Sequence, residues 1–182
     1  MFNDLNPPQT RDTARLHLRR PRVDDAATIF ATYATDPEVT RYLVWRPHKS
    51  VAETQTHVTR CAADWAAKRE YVYAITVRGE TDAPVGAIAV RGGGHTVSFG
   101  FVVARQHWGR GIATEALGDL LTWSLAQRGI WRASAFCDVD NLASARVMEK
   151  AGMTLEGINR RAVVHPNISP DPRDVRMYAM VN

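Results

Sequence analysis

The sequence predicts a single mixed α/β domain of 182 residues, and three observations carry that reading. Val97, Phe99, Phe101 and Val103 alternate with smaller or more polar residues at the two-residue period of a pleated strand. Leu117, Leu120, Leu121 and Leu125 then recur at the spacing of one helix face, with Gly129 behind Arg128 where a helix C-terminus favours them. Elsewhere strand-like and helix-like stretches follow one another without repeats or linkers, and 45% hydrophobic residues suffice for one core.

In chain order, residues 1–13 are polar, carry Pro7-Pro8 and read as a flexible tail or a lead-in to a strand, leaving 14–182 as the domain. Leu16 and Leu18 alternate with basic residues in a short first strand. Asp24 stands as a cap before Ala26, Ile29, Phe30 and Tyr33, one face of a first helix, and Asp36-Pro37 opens another turn through Tyr42. Leu43 to Lys49, with Trp45, Arg46 and His48, reads as a loop. Ser50-Val51-Ala52-Glu53 is a capping box for a long helix that buries Val58, Cys61, Ala62 and Trp65. Tyr71 to Val77 and Val85 to Val90 are β-rich, and with the strand after Gly92-Gly93-Gly94 they form an antiparallel meander. A fifth strand at Trp131 to Cys137, a short helix at Asn141 to Ala151, a sixth strand at Thr154 to Ile158 and a last at Arg173 to Val181 complete the chain.

Composition narrows the function. A formal charge of +4 with scattered Lys and Arg does not indicate a nucleic-acid surface, and a polyanionic ligand would suffice to explain it. Cys61 and Cys137 lack paired-ligand spacing, which points to a reducing, cytoplasmic setting and away from a zinc site. The six histidines are dispersed and H-E-x-x-H is missing, so no metal is expected. No apolar run is long enough to span a bilayer, and no membrane partner is expected.

Between the central strand and helix lies Trp108-Gly109-Arg110-Gly111-Ile112-Ala113. Two glycines let the backbone approach a ligand closely, and a helix starting there leaves its first N–H groups open to an anion such as a diphosphate. A plain strand-to-helix turn explains the glycines equally well. The dinucleotide fingerprint fails, because Thr114 stands where its third glycine belongs, and a Walker loop is absent.

Trp108 to Ala116, WGRGIATEA, resembles the acyl-coenzyme A loop of the GCN5-related N-acetyltransferases, especially the branch like the ribosomal-protein N-terminal acetyltransferases. Of the looser pattern Q/R-x-x-G-x-G/A, Gly111 and Ala113 match while Trp108 replaces the first residue, a departure this branch shares. Asp140 to Gly152, DNLASARVMEKAG, resembles the family segment N-x-x-S-x-x-V-x-E-K-x-G at the expected distance. The resemblance implies a mostly antiparallel seven-stranded sheet with flanking helices, splayed between strands 4 and 5 to admit the cofactor. It implies acetyl-coenzyme A as co-substrate and direct transfer to a primary amine acceptor, either a protein N-terminus or a small molecule. By position, Phe101, Val102 and Val103 would offer main-chain contacts to pantetheine and the acetyl carbonyl, and Trp108, Gly109, Arg110, Gly111, Ile112, Ala113 and Thr114 would bind the pyrophosphate.

Asn141 has a family role on the pantetheine arm and also stands where a helix cap belongs. Many members carry a tyrosine acid seven residues later; here that position is Met148, and Ser144 is the candidate to stabilise the leaving thiolate. A hydroxyl satisfied inside its own helix is the competing reading of Ser144. For the base the candidates are His165, His48 and Asp138, with Trp45 and His48 facing the acceptor and Cys137 read as core. The missing tyrosine keeps open a coenzyme A-binding module without turnover, and pairing of two chains into a homodimer also stays open.

Overall fold

The computed structural model describes residues 5–182, and one eight-stranded sheet runs through it in the order β1-β2-β3-β4-β5-β6-β8-β7. Its strands are β1 (Thr10–Asp12), β2 (Leu16–Arg19), β3 (Tyr71–Val77), β4 (Gly86–Gly93), β5 (Thr96–Val103), β6 (Arg132–Asp138), β7 (Thr154–Val164) and β8 (Pro172–Val181). The helices are α1 (Ala26–Ile29), α2 (Pro37–Thr40), α3 (Val51–Ala66), α4 (Ile112–Leu125) and α5 (Leu142–Lys150). All neighbouring strands are antiparallel except β5 and β6.

The eighth strand corrects the expected seven, and it comes from the stretch read as a tail. Thr10, Arg11 and Asp12 pair with Arg19, Leu18 and His17 of β2. Leu5 is 7% exposed within the main core, its carbonyl accepting from Tyr71 Oη at 2.5 Å, and the Pro8 carbonyl accepts from Tyr73 Oη at 2.6 Å. Polar composition concealed this because the anchorage is main-chain pairing plus one leucine. The part of the expected tail before Leu5 lies outside the described residues.

Pleat alternation sends Val97, Phe99 and Val103 to one face, where they meet Ile112, Leu117, Leu120 and Leu121 of α4 and Met148 of α5 in the main core. On the opposite face a smaller cluster joins Ile29, Tyr33, Ala34, Val39, Val58 and Ala104, with Val102 and Trp45 packed against it. Asp25, rather than Asp24, accepts the Arg22 N–H at the start of the first helical segment (2.7 Å), which continues past α1 as a π turn over Phe30–Ala34. Ser50 caps α3 through the Glu53 N–H (3.2 Å), while Glu53 closes on the Lys49 N–H (2.7 Å). Thr54 takes the buried position expected of Ala62, which is exposed.

Strand pairing between β5 and β6 runs from Thr96↔Arg132 to Phe99↔Ala135 and stops there. Beyond it β6 continues on β8 alone and β5 on β4 alone, so the sheet opens along Gly100 to Val103. This is the cleft the resemblance implied between the fourth and fifth expected strands.

Candidate active site

The open edge of β5 presents main-chain groups, and strand alternation decides which. The Val97 carbonyl accepts from Ser134 Oγ of β6 (3.3 Å), whereas the Ala104 N–H donates to the Val85 carbonyl beside β4 (2.9 Å). Odd-numbered residues of β5 therefore aim their N–H and C=O at β6, and even-numbered ones at β4. In the opened stretch, Phe101 and the Val103 N–H face the gap. Val102 does not: its carbonyl points so closely at β4 that a Cβ on Gly86 would collide with it. That corrects Val102 as a main-chain contact. The Val103 carbonyl is occupied by the Trp108 indole Nε1–H at 2.7 Å, which ties the loop to the strand end.

The edge leads into the glycine loop. Gly109 and Gly111 have φ of 75° and 76°, a conformation side chains disfavour, and a Cβ on Gly109 would meet nothing within 4 Å. Gly111 is the N-cap of α4 with no side-chain cap, and the Glu115 N–H makes the first backbone bond back to the Gly111 carbonyl (3.0 Å). The N–H groups of Ile112, Ala113 and Thr114 precede that bond and point out of the helix end, where the helix dipole favours an anion. The Arg110 side chain turns elsewhere, to His107 Nδ1 (2.8 Å) and Glu80 (3.0 Å). These residues suit a diphosphate by main chain, with an open approach over Gly109.

At the same end of the sheet α5 begins. Asn141 caps it, its Oδ1 accepting the Ser144 N–H at 3.2 Å. The hydroxyls of Thr32, Thr56, Thr59 and Thr122 each donate to the carbonyl four residues back, but Ser144 Oγ makes no hydrogen bond among the described residues. Met148 is wholly buried in the core, so no acid stands in its position. Cys137 is buried, and burial pushes its thiol up to about 11, a core residue rather than a nucleophile.

Two of the candidate bases do not fit. Burial opposes charge on Asp138, yet bonds from Arg173 (2.6 and 3.0 Å) and the Asp140 N–H (3.0 Å) hold its carboxyl below the ordinary carboxylate range. It is a locked, weak base. His165 is 1% exposed, 3.7 Å from Asp138, with neither ring nitrogen hydrogen-bonded among the described residues. A base must reach its proton, and this imidazole is enclosed, which weighs against the expectation of His165 as a catalytic residue. Its neighbour Asn167 instead clamps the β7–β8 turn to the Thr40 and Trp45 carbonyls (2.7 and 2.8 Å).

The third base stands in a pocket of about 360 Å³ lined by Trp45, Arg46, His48, Glu53, Thr56, His57 and Arg60. Trp45 also packs against the smaller cluster, on which Val102 of β5 rests as well. Trp45, His48 and His57 form a run of rings with centroids 5.2 and 5.6 Å apart. Thr54 Oγ1 lies 2.8 Å from His48 Nδ1 and 3.4 Å from the Ser50 carbonyl, so it orients the imidazole, and the ring nitrogen that carries no proton keeps its lone pair. Burial lowers His48, and burial with the nearby Arg60 lowers His57 to about 4, so both are neutral at neutral pH. The sequence reading named Trp45 and His48 but missed His57; its place one turn before Cys61 on the same helix was the available signal.

Comparison with known proteins identifies the family. Residues 15–154 match the family model described as an acetyltransferase (GNAT) domain. The chain is 29% identical to the uncharacterized N-acetyltransferase YoaA of Bacillus subtilis over 173 residues, 93% of this chain and 95% of the relative. A crystal structure of a GNAT-family acetyltransferase from Bacillus anthracis superposes with a TM-score of 0.81 at 26% identity, covering 94% of this chain and 98% of that one. RimL, a ribosomal L7/L12 α-N-protein acetyltransferase solved with coenzyme A, shares the fold at 23% identity and a TM-score of 0.80, with 93% and 95% covered. The chain belongs to the GNAT family and is an acyltransferase of that family.

Proposed function

We propose that the protein transfers the acetyl group of acetyl-coenzyme A to a primary amine by direct attack. One observation carries this reading: the open main-chain edge of β5 is followed, after a single 3-10 turn at Arg105–His107 and the glycine loop, by the uncapped start of α4. A pantetheine arm laid along Phe101 and Val103 then leads its diphosphate to Gly109–Thr114, and the coenzyme A bound by RimL supports the match. Acetyl-coenzyme A supplies an acyl carbon activated as a thioester.

The chain's own groups do the rest. An α-amino group titrates near 8 and a lysine amine near 10.4, so the acceptor arrives largely protonated. The free-amine fraction attacks the acyl carbon, and neutral His48 accepts the proton that the attacking nitrogen sheds as the C–N bond forms and the C–S bond breaks. The Val103 N–H is the donor for the charge that develops on the acyl oxygen as nitrogen attacks. Ser144 Oγ–H, free of its own helix, donates to the departing sulfur. Asn141 sets the first turn of α5 that carries Ser144.

Purified protein with acetyl-coenzyme A and a panel of small amines and peptides with free N-termini tests the proposal by release of free thiol. Amine-dependent release, abolished by His48→Ala and retained by His165→Ala, is expected. Coenzyme A binding without release on any amine would favour the binding module, a reading to which the fully buried Met148 lends weight.

A further inference from the structure

We propose that Arg15 is a positioning residue for the glycine loop, acting through Glu115 and the Arg110 carbonyl; this rests on the function proposed above. Glu115 stands in the first turn of α4, the turn that would meet a diphosphate. A bare carboxylate there repels that ligand. Both of its oxygens are instead saturated: Oε1 accepts from Thr13 Oγ1 (2.5 Å) and the Arg15 N–H (2.9 Å), and Oε2 from Arg15 Nε and Nη2 (2.7 Å each). Arg15 Nη1 donates to the Arg110 carbonyl at 3.0 Å, inside the loop itself. Its Nη2 lies 3.4 Å from where a Gly111 Cβ would stand, so the guanidinium packs against the loop.

All three nitrogens of Arg15 are therefore committed to the protein, and its effect on the ligand passes through Glu115 and the loop. The turn bearing it is itself held. Arg78 donates from its N–H to the Arg15 carbonyl (2.8 Å) and from Nη1 to the Thr13 carbonyl (2.9 Å). One helical turn beyond Glu115, Asp119 receives Arg11 of β1 in a paired contact (2.6 and 2.8 Å). The β1–β2 hairpin thus straps two carboxylates of α4 and aims the helix end at the cleft. The arrangement neutralises a negative charge where the proposed ligand is negative.

Fluorescence titration of the full chain with coenzyme A and with pantetheine, which lacks the diphosphate, tests this. Arg15→Ala is expected to weaken coenzyme A about tenfold and leave pantetheine unchanged. Adding Glu115→Gln to Arg15→Ala is expected to restore coenzyme A to within about threefold of wild type, since the uncompensated charge is gone. A double variant as weak as Arg15→Ala, or an equal loss for both ligands, overturns the inference. Should Arg15→Ala not fold, Arg15→Met keeps the stem without the charge and is read the same way. Wild-type protein that binds no coenzyme A overturns the function proposed above, whatever the variants do.

Discussion

The two sides of the candidate active site are made of different material. Along β5 and the glycine loop the available groups are main-chain N–H and C=O, fixed by strand pairing and by two left-handed glycines. Around Trp45 the available groups are side chains on a loop and one helix face, with their protonation set by burial. Main-chain binding holds one unchanging ligand with many tolerated side chains, whereas a side-chain pocket is free to change its acceptor without disturbing the sheet. Substitutions should therefore divide by side, those on β5 and the loop altering behaviour toward acetyl-coenzyme A and those in the pocket altering behaviour toward the amine.

The strongest challenge to that division is Val103→Pro. It deletes an N–H that faces the gap while costing no sheet hydrogen bond; loss of a buried core valine lowers Tm moderately, and kcat of the folded protein is expected to fall about a hundredfold. A large loss of Tm with unchanged kcat would show that the N–H serves only the fold. Next, Gly111→Val forces a branched side chain to a φ of 76° against Arg15. The expected cost is about 2 kcal/mol of stability, read by denaturant unfolding, together with weaker coenzyme A binding. On the other side, Trp45→Ala is expected to raise the acceptor KM about tenfold and leave the acetyl-coenzyme A KM unchanged. If both constants move together, the two sides are one site and the division fails.

Ser144→Ala is expected to lower kcat about fivefold, the worth of one modest hydrogen bond, without changing Tm. A further effect is one of pH and reads on stability rather than on catalysis. His57 titrates in the fold at about 4, below its ordinary value of 6.5, so the unfolded chain binds more protons between those values and stability falls on acidification through that window. Unfolding followed from pH 7 to pH 4 should show this loss, and His57→Gln should flatten it.

The same contrast explains what was legible in the sequence. Glycines and pleat alternation are local signals, so Thr96 to Ala113 disclose both the strand and the loop in sequence. Which β5 residues face the gap depends on the register with β4, and Val102 was misassigned because a three-residue window carries no register. The pocket was half legible. Trp45 and His48 lie in a loop that the resemblance sets facing the acceptor, but His57 looks like any polar position of an amphipathic helix. His165 is a candidate in sequence because the resembled fold puts its region beside the acceptor, whereas here the ring is enclosed and Asn167 pins the segment against Thr40 and Trp45. The Arg15–Glu115 pair, 100 residues apart in sequence, left no local trace at all.

Amide chemical shifts of isotope-labelled protein titrated with coenzyme A test the central claim most directly. The account predicts that the N–H signals of Phe101, Val103 and Gly109 to Thr114 move together, saturate together and move more than those of Trp45, His48 and His57. Shifts confined to the pocket, with the strand edge and the loop unchanged at saturation, would contradict it.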